Sequence, residues 1–100
     1  MPMEIIIGAH VVNVLMGEDV DLELAREGRF GDSDVERLQI RVRGDLPDSV
    51  RRETLLHEVM HHVWAQTPLA VMFSEEQEEQ VIRALSPMLY ALGVSVTLSE

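Results

Sequence analysis

The residues that stand out as chemistry are His57, Glu58 and His61, which together spell His-Glu-x-x-His within Leu55-Leu56-His57-Glu58-Val59-Met60-His61-His62-Val63-Trp64. On a helix, a spacing of four puts His57 and His61 on one face about one turn apart, so two imidazoles can bind one zinc ion. Glu58 follows His57 by one position, which swings its carboxylate toward the open side of such a metal. There it can take a proton from water that the metal has acidified. Leu56, Val59, Met60 and Val63 fall on the adjacent face and can bury the helix, so ligand face and core face are compatible on one rod. The competing reading is two surface histidines on a solvated stripe.

A catalytic zinc site needs a third protein ligand. The chain has no cysteine. His10 is distant in sequence, and His62 points about 100° away from His61 on the same helix. Glu75, Glu76, Glu78 and Glu79 are the better source, lying 14 to 18 residues after His61, a gap that a hairpin of two helices can close. Glu78 shares an apolar stripe with Val81, Ile82 and Leu85 and is the geometric first choice. Glu79 stands at the stripe's edge as the alternative, and Glu75 follows. The same carboxylates also suit a helix N-terminus, where the dipole favours negative charge.

Elements must carry these residues. Glu4–Met16 is rich in β-branched side chains and reads as strand, with Gly8 as a turn or bulge that makes a hairpin or one kinked strand. Leu22–Arg26 is ambiguous between helical turn and loop, and Gly28–Asp34 reads as a turn. Leu38–Arg43 alternates apolar and polar as a half-buried strand does, with Leu38, Ile40 and Val42 inward. A helix over about 49–66 follows, capped by Asp48 or Ser49 and stopped by Pro68. A loop through Phe73 leads to Ser74 as the N-cap of a second helix over about 75–92. Val81, Ile82, Leu85, Met88, Leu89 and Leu92 form its expected apolar stripe, and Pro87 is expected to kink or break it near Leu85. Gly93 suits the C-terminal cap, and Val94–Leu98 reads as a last short strand. The expected fold is α+β: a small antiparallel β-sheet followed by two packed α-helices that share one zinc.

Composition bounds the rest. One hundred residues, 46% apolar and 26% charged, describe one ordinary globular domain with a thin core. A formal net charge of −10 and the absence of lysine argue against nucleic acid and against anionic membrane surfaces. No signal peptide or membrane span is expected, and the chain reads as a complete cytoplasmic protein. An apolar strand near the N-terminus leaves room for a homodimer. His62, Tyr90 and Trp64 read as an ordinary histidine, a core or rim tyrosine and a helix-interface anchor. Met60, Met72 and Met88 read as filler. Arg51 and Arg52 are expected to pair with acidic loops.

The run Arg52-Glu53-Thr54-Leu55-Leu56-His57-Glu58-Val59-Met60-His61-His62, followed by Glu78-Glu79-Gln80-Val81-Ile82-Arg83-Ala84-Leu85, resembles the small phage-associated zinc metallopeptidase-like proteins near the SprT-like and ImmA/IrrE-like families. The resemblance spans residues 28–92. It implies a minimal zincin-like domain, His57 and His61 as Zn2+ ligands, Glu58 as general base, and Glu78 or Glu79 as third ligand. The expected activity is hydrolysis of a peptide bond in a peptide or protein substrate. The reading of a different class is a zinc-stabilised, non-catalytic interaction module of phage or mobile-element origin.

Overall fold

The computed structural model describes residues 3–98. The chain is an α+β fold that runs β1 (Met3–Ile7), β2 (His10–Leu15), α1 (Glu18–Arg26), β3 (Gly31–Asp34), β4 (Gln39–Val42), α2 (Asp48–Ala65), α3 (Leu69–Met72) and α4 (Glu75–Ala91). The four strands form one sheet in the order β1-β2-β4-β3. Strands β1 and β2 make the hairpin that Gly8 permits, its φ of +60° lying in the left-handed region.

The sheet is mixed rather than antiparallel throughout. Strand β2 runs parallel to β4, from Asn13↔Gln39 to Leu15↔Arg41, while β3 and β4 are antiparallel. A parallel neighbour requires a crossover, and α1 with β3 supplies it. Gly31-Asp32-Ser33-Asp34 is therefore a strand, not the turn its composition predicts. Pairing to β4 and an ion pair from Asp32 to Arg41 offset the low strand propensity of Gly, Asp and Ser. Arg41 also reaches Glu23 (2.8 Å) and Glu27 (3.3 Å), which fastens α1 to the sheet.

Alternation along the strands places Ile7, Val12, Val14, Ile40 and Val42 in the core against Leu55 and Val59 of α2. Leu38 lies outside β4, in the turn before it, and adopts a φ of 56°. Helix α2 is tied to the sheet twice near its C-terminal end. His62 Nε2 donates to the Gln39 carbonyl (3.1 Å), and Gln66 Nε2 donates to the Ile7 carbonyl (2.7 Å). His62 is thus a buried strut rather than an exposed histidine, and Val63 is 47% exposed rather than core.

Further expectations need correction. The N-cap of α2 is Pro47, with no capping side chain, and Asp48 instead pairs with Arg51 (2.6 Å) and Arg52 (2.9 Å). Residues 69–72 form the short helix α3 in place of an open loop, and Phe73 after it packs on Trp64 with ring centroids 5.9 Å apart. Helix α4 passes through Pro87 without breaking. Residues 94–98 make no strand, although Val96 and Leu98 pack against the core. Ser74 does cap α4: its side chain accepts from the Gln77 amide while the Gln77 side chain accepts from the Ser74 amide, a capping box.

The buried face of α4 differs from the predicted stripe. Ile82 and Ser86 are buried, whereas Val81, Leu85, Met88 and Leu92 are exposed. The contact face is rotated about the helix axis, with consequences for the site.

Candidate metal centre

A cleft of about 1180 Å³ lies between β3, α2 and α4, and His57, Glu58, His61, Glu78 and Glu79 all line it. Helix α2 contributes its histidines by the four-residue spacing read from the sequence. Helix α4 begins after the Ser74 cap, so the end of its first turn and the start of its second bring Glu78 and Glu79 opposite them.

The rotation of α4 gives the two carboxylates different partners. Glu79 Oε1 lies 3.2 Å from His57 Nε2, and Glu79 Oε2 lies 2.9 Å from His61 Nε2. One donor atom from each of His57, His61 and Glu79 falls within 4.8 Å of the others. Ligand atoms on a tetrahedral zinc with bonds of about 2.1 Å stand about 3.4 Å apart, so this trio fits the ion with small adjustments. Glu78 sits outside that trio. It accepts a hydrogen bond from His61 Nδ1 at 2.6 Å.

The far side of His57 is equally occupied. Ser86 Oγ donates to the Ile82 carbonyl (2.8 Å), which commits its only proton. Toward His57 Nδ1, 3.3 Å away, the hydroxyl can therefore only accept. Both Nδ1 atoms are thus hydrogen-bonded on the side away from Glu79, and both Nε2 atoms are left to face it. Outer partners of this kind fix the tautomer and ring orientation of metal-binding histidines. Burial pushes the pKa of His57 below its ordinary value, with Glu79 opposing, and so favours the neutral imidazole that a metal requires.

Glu58 is not among the close donors. It is 93% buried, as its relative exposure of 7% shows, and its Oε1 accepts from Ser33 Oγ at 3.0 Å. The same hydroxyl lies 2.9 Å from the Glu58 carbonyl. Burial pushes the Glu58 carboxyl up to about 7, and the Ser33 hydrogen bond works in the opposite direction. Strand β3 can reach α2 this closely because residue 31 is glycine. A Cβ there would stand 2.7 Å from the Arg41 carbonyl and 2.9 Å from Thr54 Cγ2.

Sequence reasoning missed Ser33 and Ser86. Ser33 lies 25 residues before Glu58 and carries no local signal. Ser86 was detectable in principle, because it stands one helical turn beyond Ile82 and two beyond Glu78 and Glu79. The other singled-out residues lie elsewhere: His10 starts β2 and is exposed, while His62, Trp64 and Tyr90 do not line the cleft.

No family model, curated protein or solved structure matches the chain. Among the described residues, no helix is long and apolar enough to cross a membrane.

Proposed function

We propose that the chain is a zinc-dependent metallopeptidase-like hydrolase in which His57, His61 and Glu79 hold the metal and Glu58 is the general base. The observation that carries this reading is the convergence of the two Nε2 atoms and the Glu79 carboxylate beside a separate, buried carboxylate in one cleft. A purely structural site has no use for Glu58. The resemblance of residues 28–92 to the small phage-associated metallopeptidase-like proteins supports the same reading.

His57, His61 and Glu79 would hold a zinc ion, which when bound would supply the Lewis acidity that polarises a scissile carbonyl and acidifies water. Glu58 takes the proton of that water and returns it to the leaving amine. Ser33 holds the Glu58 carboxylate at a fixed angle, so the proton acceptor is in place before the substrate arrives. Glu78 and Ser86 keep the imidazoles turned toward the ligand position. Strand β3 offers the substrate a binding edge. The Arg43 amide donates to the Phe30 carbonyl across the antiparallel pair, so alternation turns the backbone groups of Gly31 and Ser33 away from β4. An extended peptide can pair with that edge along the cleft wall.

The test is a cleavage screen on a mixture of unfolded proteins, with zinc-loaded wild type beside Glu58→Gln. Cleavage by the wild type, abolished in Glu58→Gln while zinc stays bound, is expected. Full turnover by Glu58→Gln would sink the mechanism. Zinc binding without any cleavage would leave the metal as a stabiliser of a non-catalytic interaction module.

A further inference from the structure

We propose that the cleft selects a cationic side chain, lysine or arginine, about two residues from the bond to be cut, and that Glu53 recognises it. This rests on the reading of the cleft as a peptidase site and adds its substrate class.

The acids that line the cleft can be sorted by what already satisfies them. Asp32 is ion-paired with Arg41, Glu58 accepts from Ser33, Glu78 from His61, and Glu79 faces both imidazoles and Arg83. Glu75 is exposed in the first turn of α4, where the helix N-terminus compensates its charge. Glu53 remains. It is half-buried, lines the cleft, and has no ion pair among the described residues. Its nearest cations in sequence, Arg51 and Arg52, both bond Asp48. The arginines of the cleft are engaged as well, Arg29 lying 3.8 Å from Asp32 and Arg83 lying 3.3 Å from Glu79.

Position adds to charge. Glu53 precedes His57 by one four-residue step on the same face of α2, about 6 Å along the axis. An extended peptide advances about 3.3 Å per residue, so that step corresponds to about two residues from the reacting carbonyl. Val50, three residues earlier, also lines the cleft. It offers apolar surface to the methylene stem of a lysine or arginine whose charged head reaches Glu53.

The test uses two series of short peptide hydroxamates, one with the zinc-binding group at the C-terminal end and one with it at the N-terminal end. Each compound carries lysine, norleucine or glutamate two residues from that group. Affinities are measured by calorimetry on zinc-loaded wild type, Glu53→Gln and Glu53→Lys, with zinc content determined on the same samples. In one series, lysine is expected to bind the wild type about tenfold more tightly than norleucine, the scale of one charge-assisted hydrogen bond. That ratio falls to about one in Glu53→Gln, and the order reverses in favour of glutamate in Glu53→Lys. Equal affinity for lysine, norleucine and glutamate in both series overturns the proposal, as does a lysine preference that survives in Glu53→Gln. Failure of every hydroxamate to bind zinc-loaded protein overturns the peptidase cleft and this proposal with it. Absence of zinc from the samples overturns the metal site itself.

Discussion

Glu78 and Glu79 are neighbours with different partners, and that contrast is the most discriminating feature at the scale of single residues. Both oxygens of Glu79 face imidazole Nε2 atoms, at 3.2 and 2.9 Å, whereas Glu78 accepts from the Nδ1 of His61. Glu79→Ala is therefore expected to lose tight zinc binding. Glu78→Ala and Ser86→Ala are expected to retain it with affinity lowered by about 10- to 100-fold, the usual cost of removing an outer partner. Competition titration against a chelator reads both, and tight binding by Glu79→Ala with loss in Glu78→Ala would exchange the roles. The sequence made the pair visible and put Glu78 first, whereas the structure brings Glu79 against both Nε2 atoms. Successive helical residues differ by about 100°, and the predicted stripe through Val81 and Leu85 placed Glu78 inward. Burial of Ile82 and Ser86, with Val81 and Leu85 exposed, turns the helix and carries Glu79 toward the Nε2 atoms of His57 and His61.

Among the elements, α2 and α4 were legible because their signals are local: a polar start at Asp48 and Ser49 with Pro68 as a stop in one, and Ser74 ahead of acidic first-turn residues in the other. Strand β3 was not, since Gly31-Asp32-Ser33-Asp34 favours turns and becomes a strand only through partners elsewhere in the chain. Those partners, Arg41 for Asp32 and Glu58 for Ser33, are 9 and 25 residues away. The parallel pairing of β2 with β4 is likewise a tertiary outcome. Gly31→Ala would press a Cβ against the Arg41 carbonyl and Thr54, which is expected to cost about 1–3 kcal/mol and lower the melting temperature by several degrees. An unchanged melting temperature would contradict the close approach of β3 to α2. Ser74→Ala removes the cap of α4 and is expected to cost about 1 kcal/mol. Because Glu78 and Glu79 stand within five residues of the cap, zinc affinity should fall with it; undiminished affinity would mean that the cap does not position them.

For the whole molecule, the metal and the fold are expected to be one thermodynamic unit. The proposed ligands come from two helices joined through α3, and the core that α2 shares with the sheet is small, seven buried apolar residues in its main cluster among the described residues. A ligand at a hundred times its dissociation constant adds about 2.7 kcal/mol to folding. In a domain of this size that corresponds to a melting temperature higher by roughly 10 °C or more, which a chelator should remove. His57→Ala should be indifferent to the chelator. The most direct test of the account is the metal content of the purified protein after zinc reconstitution, measured by plasma mass spectrometry on wild type, His57→Ala and Glu58→Gln. The account predicts one zinc per chain in the wild type and in Glu58→Gln, and none in His57→Ala. No bound metal in the wild type, or undiminished zinc in His57→Ala, would contradict it.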